Sequence, residues 1–432
     1  MDLFKNKVLK NASWLIAGKI AQMALSLVVG VISARFLGPS NYGLISYGNA
    51  IVAFFMSFCT LGINSVIIKE FSDHPDDEGL LLGSSIFLRV LSSFGSIVLI
   101  FFASLLLDYG KWETIIVVLL SSVSLLFHAF DTINYWFQYK YQSKIVSITT
   151  FFAYLATSMY KMALLLLGKS VMWFAFATSV DYIALALLLL WAYKRNGGPK
   201  LSISFKRGVS VLKKSYHYII SGMLVSIYGQ TDKLMLKQML GEETVGYYTT
   251  AMTICGMWTF VLTSIIDAAN PIIISSYNKS KENFELFNKR LYAAIFYLST
   301  FASIVLTLCG KYVVKLLYGE AYLPAVIPLQ IITWYVAFSY FGVARGPWIV
   351  CHNYQKYLKY MYVGAALTNV VLNFVLIPVL GVSGAALASL ITQIFTSLIL
   401  PSFIRDLRPN AKLILEAIFL RKMHLFNRKT KQ

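Results

Sequence analysis

Leu37-Gly38-Pro39-Ser40-Asn41-Tyr42-Gly43 joins two long apolar segments, Ser13 to Ala34 and Leu44 to Ile68. Glycine, proline and asparagine are turn formers, so the stretch predicts a tight hairpin between two helices. The pattern returns as Leu240-Gly241-Glu242-Glu243-Thr244-Val245-Gly246, again between apolar segments. An offset of 203 residues carries Gly38 onto Gly241 and Gly43 onto Gly246. The same offset carries Leu9-Lys10 onto Leu212-Lys213, Ile16 onto Ile219 and Thr60 onto Thr263. One unbroken register from Leu9 to Thr60 reads as two copies of one unit.

Of the 432 residues 58% are hydrophobic and 13% charged, where soluble domains carry roughly 25% charged residues. So little charge cannot cover a water-facing surface, and the solvent must be largely lipid. A spanning helix takes about 20 apolar residues. Segments near that length occur at 13–34, 44–69, 82–107, 113–138, 145–167, 171–193, 216–240, 247–275, 291–309, 325–350, 358–379 and 383–404. Continuous runs of this length are helices, because every backbone N–H and C=O must be satisfied inside the segment. The alternating polarity of a membrane barrel strand is absent. The first run follows Lys5, Lys7 and Lys10 and is longer than a signal core, so it reads as an uncleaved first helix.

The expected fold is therefore an all-α integral membrane protein of twelve transmembrane helices. Six spans per copy give both copies the same orientation, so the lobes should be related by a pseudo-two-fold along the membrane normal. The N-terminal six-helix lobe covers 1–193 and a basic linker covers 194–215. The C-terminal six-helix lobe covers 216–404 and a basic amphipathic tail covers 405–432. The apolar core of the tail, Leu413 to Leu420, is too short to span and is expected to lie on the inner membrane surface.

The net charge is +19. Loops on the N-terminal side of the membrane hold 27 lysines and arginines, and the opposite loops hold 5. This bias places both termini and the linker in the cytoplasm. It accounts for the basic excess through topology and anionic lipid, with no nucleic-acid partner. Cys59, Cys255, Cys309 and Cys351 fall in or at the ends of spans and fit no metal site. His74 with Asp73, Asp76 and Asp77 meets no calcium-loop spacing and reads as a solvated loop. Tyr135, Trp136, Tyr139 and Tyr141 at one end of the fourth span suit an aromatic belt at headgroup level. There is no phosphate-binding loop and no catalytic constellation, so no enzyme activity, metal or cofactor is expected.

Ten charges lie inside the spans: Lys19, Arg89, Lys161, Lys233, Lys237, Arg345, Asp131, Asp181, Asp232 and Asp267. Each costs about 2.5–3.5 kcal/mol at the bilayer centre, so they must face one another, a neighbouring helix or a watery cavity. Each is open to a structural reading as well as a functional one. Lys237, near a helix end, is expected to snorkel. Asp232 and Lys233, being adjacent on a helix, point about 100° apart and form no simple pair. Asp267 and Lys161 read equally as local links.

With a cytoplasmic N-terminus, Lys19, Arg89, Asp131 and Arg345 fall in the cytoplasmic half of the membrane. They predict a vestibule with a net positive lining, suited to an anionic substrate from inside. Lys161, Asp232 and Lys233 fall nearer the outer face. Arg345 precedes Gly346-Pro347, where lost backbone donors and added freedom predict a hinge. Asp131, Asp181, Asp232 and Asp267 are the candidate coupling or pairing carboxylates.

These residues resemble a known family. Leu37-Gly38 with Gly43, Asp232-Lys233 followed by Leu240-Gly241 and Gly246-Tyr247-Tyr248, and Asn369, Asn373, Ile377-Pro378 with Leu380-Gly381-Val382-Ser383-Gly384-Ala385-Ala386 are similar to the bacterial oligosaccharide flippases. These belong to the multidrug/oligosaccharidyl-lipid/polysaccharide exporter superfamily, and the likeness runs over roughly residues 5 to 405. It implies two six-helix lobes around a central cavity and alternating access driven by an ion gradient or membrane potential. It implies a substrate carried on undecaprenyl pyrophosphate, a bacterial inner-membrane location, and a polymerase and chain-length regulator as protein partners. The pyrophosphate would meet Lys19, Arg89 and Arg345. Three rival readings are a drug antiporter of the same superfamily, a lipid II flippase, and a membrane-embedded glycosyltransferase or polymerase. The first would need an acidic cavity, the second helices beyond twelve, and the third a large outer loop.

Overall fold

The computed structural model describes residues 2–421, with side chains from residue 22 onward except that of Ser221. All regular structure among these residues is helical. By packing, the chain divides into two units, Met1–Gly246 and Tyr247–Gln432. The first holds α1 (Asp2–Thr60), α2 (Ile67–Asp73), α3 (Glu78–Leu107), α4 (Trp112–Ser122), α5 (Ser124–His128), α6 (Thr132–Tyr139), α7 (Ser143–Leu166), α8 (Val171–Arg195) and α9 (Phe205–Leu240). The boundary falls within α10 (Glu242–Gly256). The second unit continues with α11 (Thr259–Tyr277), α12 (Lys281–Tyr318), α13 (Val326–Ala344), α14 (Gly346–Cys351), α15 (Leu358–Leu380), α16 (Val382–Ile394), α17 (Leu400–Phe403) and α18 (Arg408–Ile418).

Nine helical stretches among the described residues are long and apolar enough to cross a membrane. The stretch Gln22–Thr60 runs through parts of the first two expected spans and ends at Thr60, short of the expected second boundary, with Gly38 the residue that leaves helical geometry. The expected span 247–275 is instead two helices, α10 and α11, parted at Met257 and Trp258. The spans expose large apolar side chains, Phe94 at 62% and Leu106 at 84% among them. A surface of that kind is solvated by lipid and would associate in water. The chain is a multi-pass membrane protein.

Within the first unit the two glycine turns meet. Gly38 (φ 72°, ψ 171°) and Gly241 (φ 96°, ψ 176°) make the same corner, in a region that side chains disfavour. Past each corner a second glycine lies on the backbone of the other turn. A methyl group on Gly43 would stand 1.8 Å from the Glu242 carbonyl oxygen, and one on Gly246 would stand 2.2 Å from that of Pro39. At the 203-residue offset Pro39 corresponds to Glu242 and Gly43 to Gly246. One contact is therefore made twice, the pattern of two like surfaces facing each other.

The stretch 194–215 is stitched onto the first unit. Tyr193 Oη donates to the Pro199 carbonyl at 2.7 Å, the Ser204 N–H to Ser84 Oγ at 2.9 Å, and Ser215 Oγ to the Leu61 carbonyl at 2.8 Å. Ion pairs Arg207–Asp77 (3.0 Å) and Lys214–Glu70 (2.5 Å) reinforce it. The helix that follows, α9, packs on α1 and α3, so compactness breaks at Gly246 and not at this stretch. Trp136, expected in a headgroup belt, is buried and donates its indole N–H to Glu78 at 2.8 Å. Glu78 also pairs with Lys140 at 2.6 Å. The indole has a buried carboxylate to satisfy it, so it needs no membrane interface.

In the second unit α12 packs along α13, where Ser303 Oγ donates to the Thr333 carbonyl at 2.8 Å and Gln330 Nε2 to that of Thr307 at 2.8 Å. The tail corrects an expectation. Leu413, Ile414 and Ala417 of α18 are buried in one core with Tyr292, Phe341 and Trp348. Asn410 Nδ2 donates to Tyr292 Oη at 2.7 Å, Lys289 pairs with Glu416 at 2.5 Å, and Tyr297 Oη donates to the Ile418 carbonyl at 2.8 Å. The tail is amphipathic, but its apolar face covers protein instead of lying in lipid. Residues 422–432 of the expected tail lie outside the described residues.

Candidate functional site

Arg89 of α3 is fully buried in the first unit. Its Nη1 donates to Asn64 Oδ1 at 3.2 Å and Thr132 Oγ1 at 2.6 Å. Its Nη2 reaches His128 Nδ1 at 2.7 Å and the His128 carbonyl at 3.1 Å. Arginine has no acceptor, so His128 must present an unprotonated Nδ1. His128 and Thr132 flank a 3₁₀ turn at Ala129–Asp131 that separates α5 from α6, and Asn64 lies between α1 and α2. The Thr132 hydroxyl donates in turn to the Ala129 carbonyl at 2.7 Å.

Arg345 stands between α13 and α14 in the second unit, 2% exposed. Its Nη1 donates to the Thr396 carbonyl at 3.4 Å and lies 3.8 Å from Met361 Sδ, and its Nη2 donates to the Ser397 carbonyl. Those carbonyls belong to a π-helical stretch, Phe395–Ile399, following α16. A π turn widens the helix and frees carbonyls from their usual donors, which is what an inserted guanidinium needs. Gly346 and Pro347 begin α14 directly after Arg345. The backbone stays helical through the junction, the Ile349 N–H reaching the Arg345 carbonyl at 3.0 Å.

Among the described residues no carboxylate lies within 4.0 Å of either guanidinium. Asp131 acts on Arg89 through space and is itself bonded by Asn134 Nδ2. Each arginine keeps a buried Nε without a hydrogen-bond partner among the described residues. Neutral dipoles hold both cations, so their positive field is not cancelled on contact.

The remaining candidates are dispersed. Asp181 of α8 accepts from Thr157 Oγ1 of α7 at 3.2 Å and interacts through space with Lys161. Asp232 is buried, with half-buried Lys233 beside it on α9. Asp267 is exposed on α11. The side chain of Lys19 lies outside the described residues. Among the described residues no group of His, Cys, Asp and Glu forms a metal site.

One cluster was not anticipated. Lys237 is 1% exposed at its side chain and is ion-paired to fully buried Asp108, with Glu242 at 3.8 Å. Tyr47 Oη donates to the same carboxylate at 2.8 Å, and Gln238 Nε2 donates to Tyr47 Oη at 3.0 Å. Lys237 therefore does not snorkel. The apolar run of α3 hides Asp108 at its end, and only the opposite signs at two span termini on one side would have signalled the pair.

A family model described as polysaccharide biosynthesis protein matches residues 8–277. The "Putative O-antigen transporter" of Escherichia coli (strain K12) is 23% identical over 414 residues, 94% of this chain and 99% of that protein. The inward closed structure of the lipid II flippase MurJ superposes with a TM-score of 0.73 at 15% identity, covering 96% of this chain and 91% of that one. An inward-facing multidrug resistance transporter of the MATE family, in the MOP superfamily, superposes with a TM-score of 0.67 at 14% identity, covering 91% and 96%. The relatives are transporters and a flippase, not enzymes, and the shared fold is that of MurJ and MATE. The chain belongs to the polysaccharide biosynthesis protein family.

Proposed function

We propose that the protein is a flippase for a lipid-linked oligosaccharide. It moves an undecaprenyl-pyrophosphate-linked repeat unit from the cytoplasmic to the outer leaflet of the bacterial inner membrane, for O-antigen or capsule synthesis. The observation that carries this reading is the pair of buried guanidinium groups without a contacting carboxylate among the described residues. A cationic field that is not cancelled on contact suits a pyrophosphate inside a membrane and repels a cationic drug. The family and the O-antigen transporter relative point the same way.

In this proposal twelve spans form two six-helix lobes, 1–193 and 216–404, about a pseudo-two-fold along the membrane normal. The reciprocal glycine contact supports that axis. Both termini are cytoplasmic, from the distribution of basic residues. Arg89, Arg345 and Lys19 receive the pyrophosphate, exchanging protein acceptors for phosphate oxygens, with Gly346 and Pro347 as the hinge that releases Arg345. Lys161 and Lys233 serve the outer half of the path. Asp131, Asp181, Asp232 and Asp267 serve pairing or coupling. A polymerase and a chain-length regulator take the unit onward.

The test is a strain lacking the gene, with surface polysaccharide and inner-leaflet lipid-linked repeat units both quantified. The flippase reading expects lost surface polymer, accumulated repeat units and restoration of both by the wild-type gene. Normal surface polymer in the deletion strain, with heightened sensitivity to cationic drugs, would favour the antiporter instead.

A further inference from the structure

We propose that the cavity between α11, α12, α14 and α18 in the second unit binds a glycosyl diphosphate, a ring joined to two phosphates. The choice of sugar chemistry rests on the flippase reading, and the site does not use Arg89 or Arg345.

The cavity holds about 770 Å³, within the roughly 300–1,000 Å³ of small-molecule sites. One wall is aromatic. The His352 ring stacks on Trp348 at 4.3 Å and on Tyr354 at 5.5 Å, and Tyr277 meets it edge-on at 5.1 Å. His352 Nδ1 donates to the Trp348 carbonyl at 2.8 Å, which fixes the ring. Trp348 is buried behind it, while Tyr277, His352 and Tyr354 keep surface to offer. Rings held in this way take a pyranose or a base on their faces.

The rest of the lining is largely charged, and half of its charges are occupied. Lys289 is paired with Glu416 at 2.5 Å, Arg408 Nε donates to the Ser402 carbonyl at 3.0 Å, and Asp406 accepts from Tyr357 Oη at 2.5 Å. Lys281, Arg405 and Lys412 line the cavity with no hydrogen bond or ion pair among the described residues, and Glu285 is the one carboxylate in the same condition. Three cations against one anion leave two positive charges. A diphosphate esterified at both ends carries two negative charges, so the cavity and ligand match in charge. Because α18 is locked into the core by Asn410 and Glu416, the site is preformed.

The ligand has two possible sources, a soluble sugar nucleotide or a lipid-linked sugar diphosphate. The experiment uses purified full-length protein and equilibrium dialysis with radiolabelled UDP-glucose, inorganic pyrophosphate, and glucosyl-diphospho-farnesol in lipid nanodiscs. Saturable binding of a glycosyl diphosphate is expected, weakened at least tenfold by Arg405→Glu with Lys412→Glu and unchanged by Lys359→Glu. Tyr354→Ala should weaken both glycosyl probes several-fold and leave pyrophosphate unchanged. Tighter binding of the lipid probe than of UDP-glucose assigns the membrane source, and the reverse assigns the soluble one. If the double glutamate variant is not monodisperse, Arg405→Gln with Lys412→Gln replaces it, with at least a fivefold loss expected. Absence of saturable binding by either glycosyl probe, or binding indifferent to the charge variants, would overturn the proposal. No transport is measured here, so a negative result leaves the flippase reading standing, and failed export leaves this site standing.

Discussion

Arg89 and Arg345 are both buried within spans, and among the described residues both lack a contacting carboxylate and a partner for Nε. Their acceptors differ in kind. Arg89 is held mainly by side chains, those of Asn64, His128 and Thr132, gathered around a 3₁₀ turn. Arg345 is held mainly by backbone carbonyls exposed in a π turn. A side-chain acceptor can rotate and can be deleted by mutation. A helix carbonyl can do neither, and its position is set by the winding of the whole helix. The first unit therefore has an adjustable cradle for its cation and the second a rigid one. In both, charge is kept in the membrane without a contacting counter-ion among the described residues.

The largest effects come from removing the cations. In the proposed mechanism Arg345→Ala and Arg89→Ala each abolish export, read as surface polysaccharide beside membrane protein level in a deletion strain. Lysine keeps the charge but loses the planar fork. Arg89→Lys should recover more export than Arg345→Lys, because side chains can turn to meet an ammonium and fixed carbonyls cannot. Equal recovery would erase the distinction between the cradles. Wild-type display by either alanine variant at equal protein level would remove that residue from the mechanism.

Much of this was legible in the sequence. Length and apolar content gave a helical membrane protein, and the 203-residue register pointed to turns that prove to touch each other. Arg89 and Arg345 stood out because arginine inside a span is costly. Their surroundings did not stand out. Thr132 and Ser397 look like ordinary polar residues in apolar runs, and the acceptors of Arg345 are main-chain atoms, for which sequence has no letter. The π stretch itself depends on packing. The tail was misjudged for a related reason: an amphipathic helix shows how wide its apolar face is, but not whether lipid or protein covers it.

The Lys237–Asp108 pair supplies the contrast of a neutralised charge. Lys237→Ala would strand a buried carboxylate, at about 3–5 kcal/mol. A clear fall in the Tm of the detergent-purified protein is expected. Asp108→Leu with Lys237→Met removes both charges and should recover part of that loss, since well-packed apolar pairs often replace buried ion pairs at little cost, while Tyr47 Oη loses its acceptor. If the double variant is no more stable than Lys237→Ala, the pair does more than satisfy itself.

Thr132→Val tests the side-chain cradle at smaller scale. Valine keeps the shape but deletes the acceptor at 2.6 Å from Arg89. Hydrogen bonds to charged groups are worth about 1.5–3 kcal/mol, so a moderate Tm decrease is expected. An unchanged Tm would mean that Asn64 and His128 carry Arg89 without help.

Ser397→Ala is the counterpart in the rigid cradle, and its expected effect is the smallest. Arg345 contacts the carbonyl of Ser397 and not its hydroxyl. The hydroxyl is buried without a hydrogen-bond partner among the described residues, a condition that costs about 1–3 kcal/mol where no partner is found. Alanine retains the carbonyl, favours the helix and removes the unmet group. Tm should hold or rise slightly, and export should match wild type. A loss as large as that of Thr132→Val would show that Arg345 depends on the hydroxyl. The two arginines would then be held in the same way, and the difference between the units would lie only in which helix presents the cation.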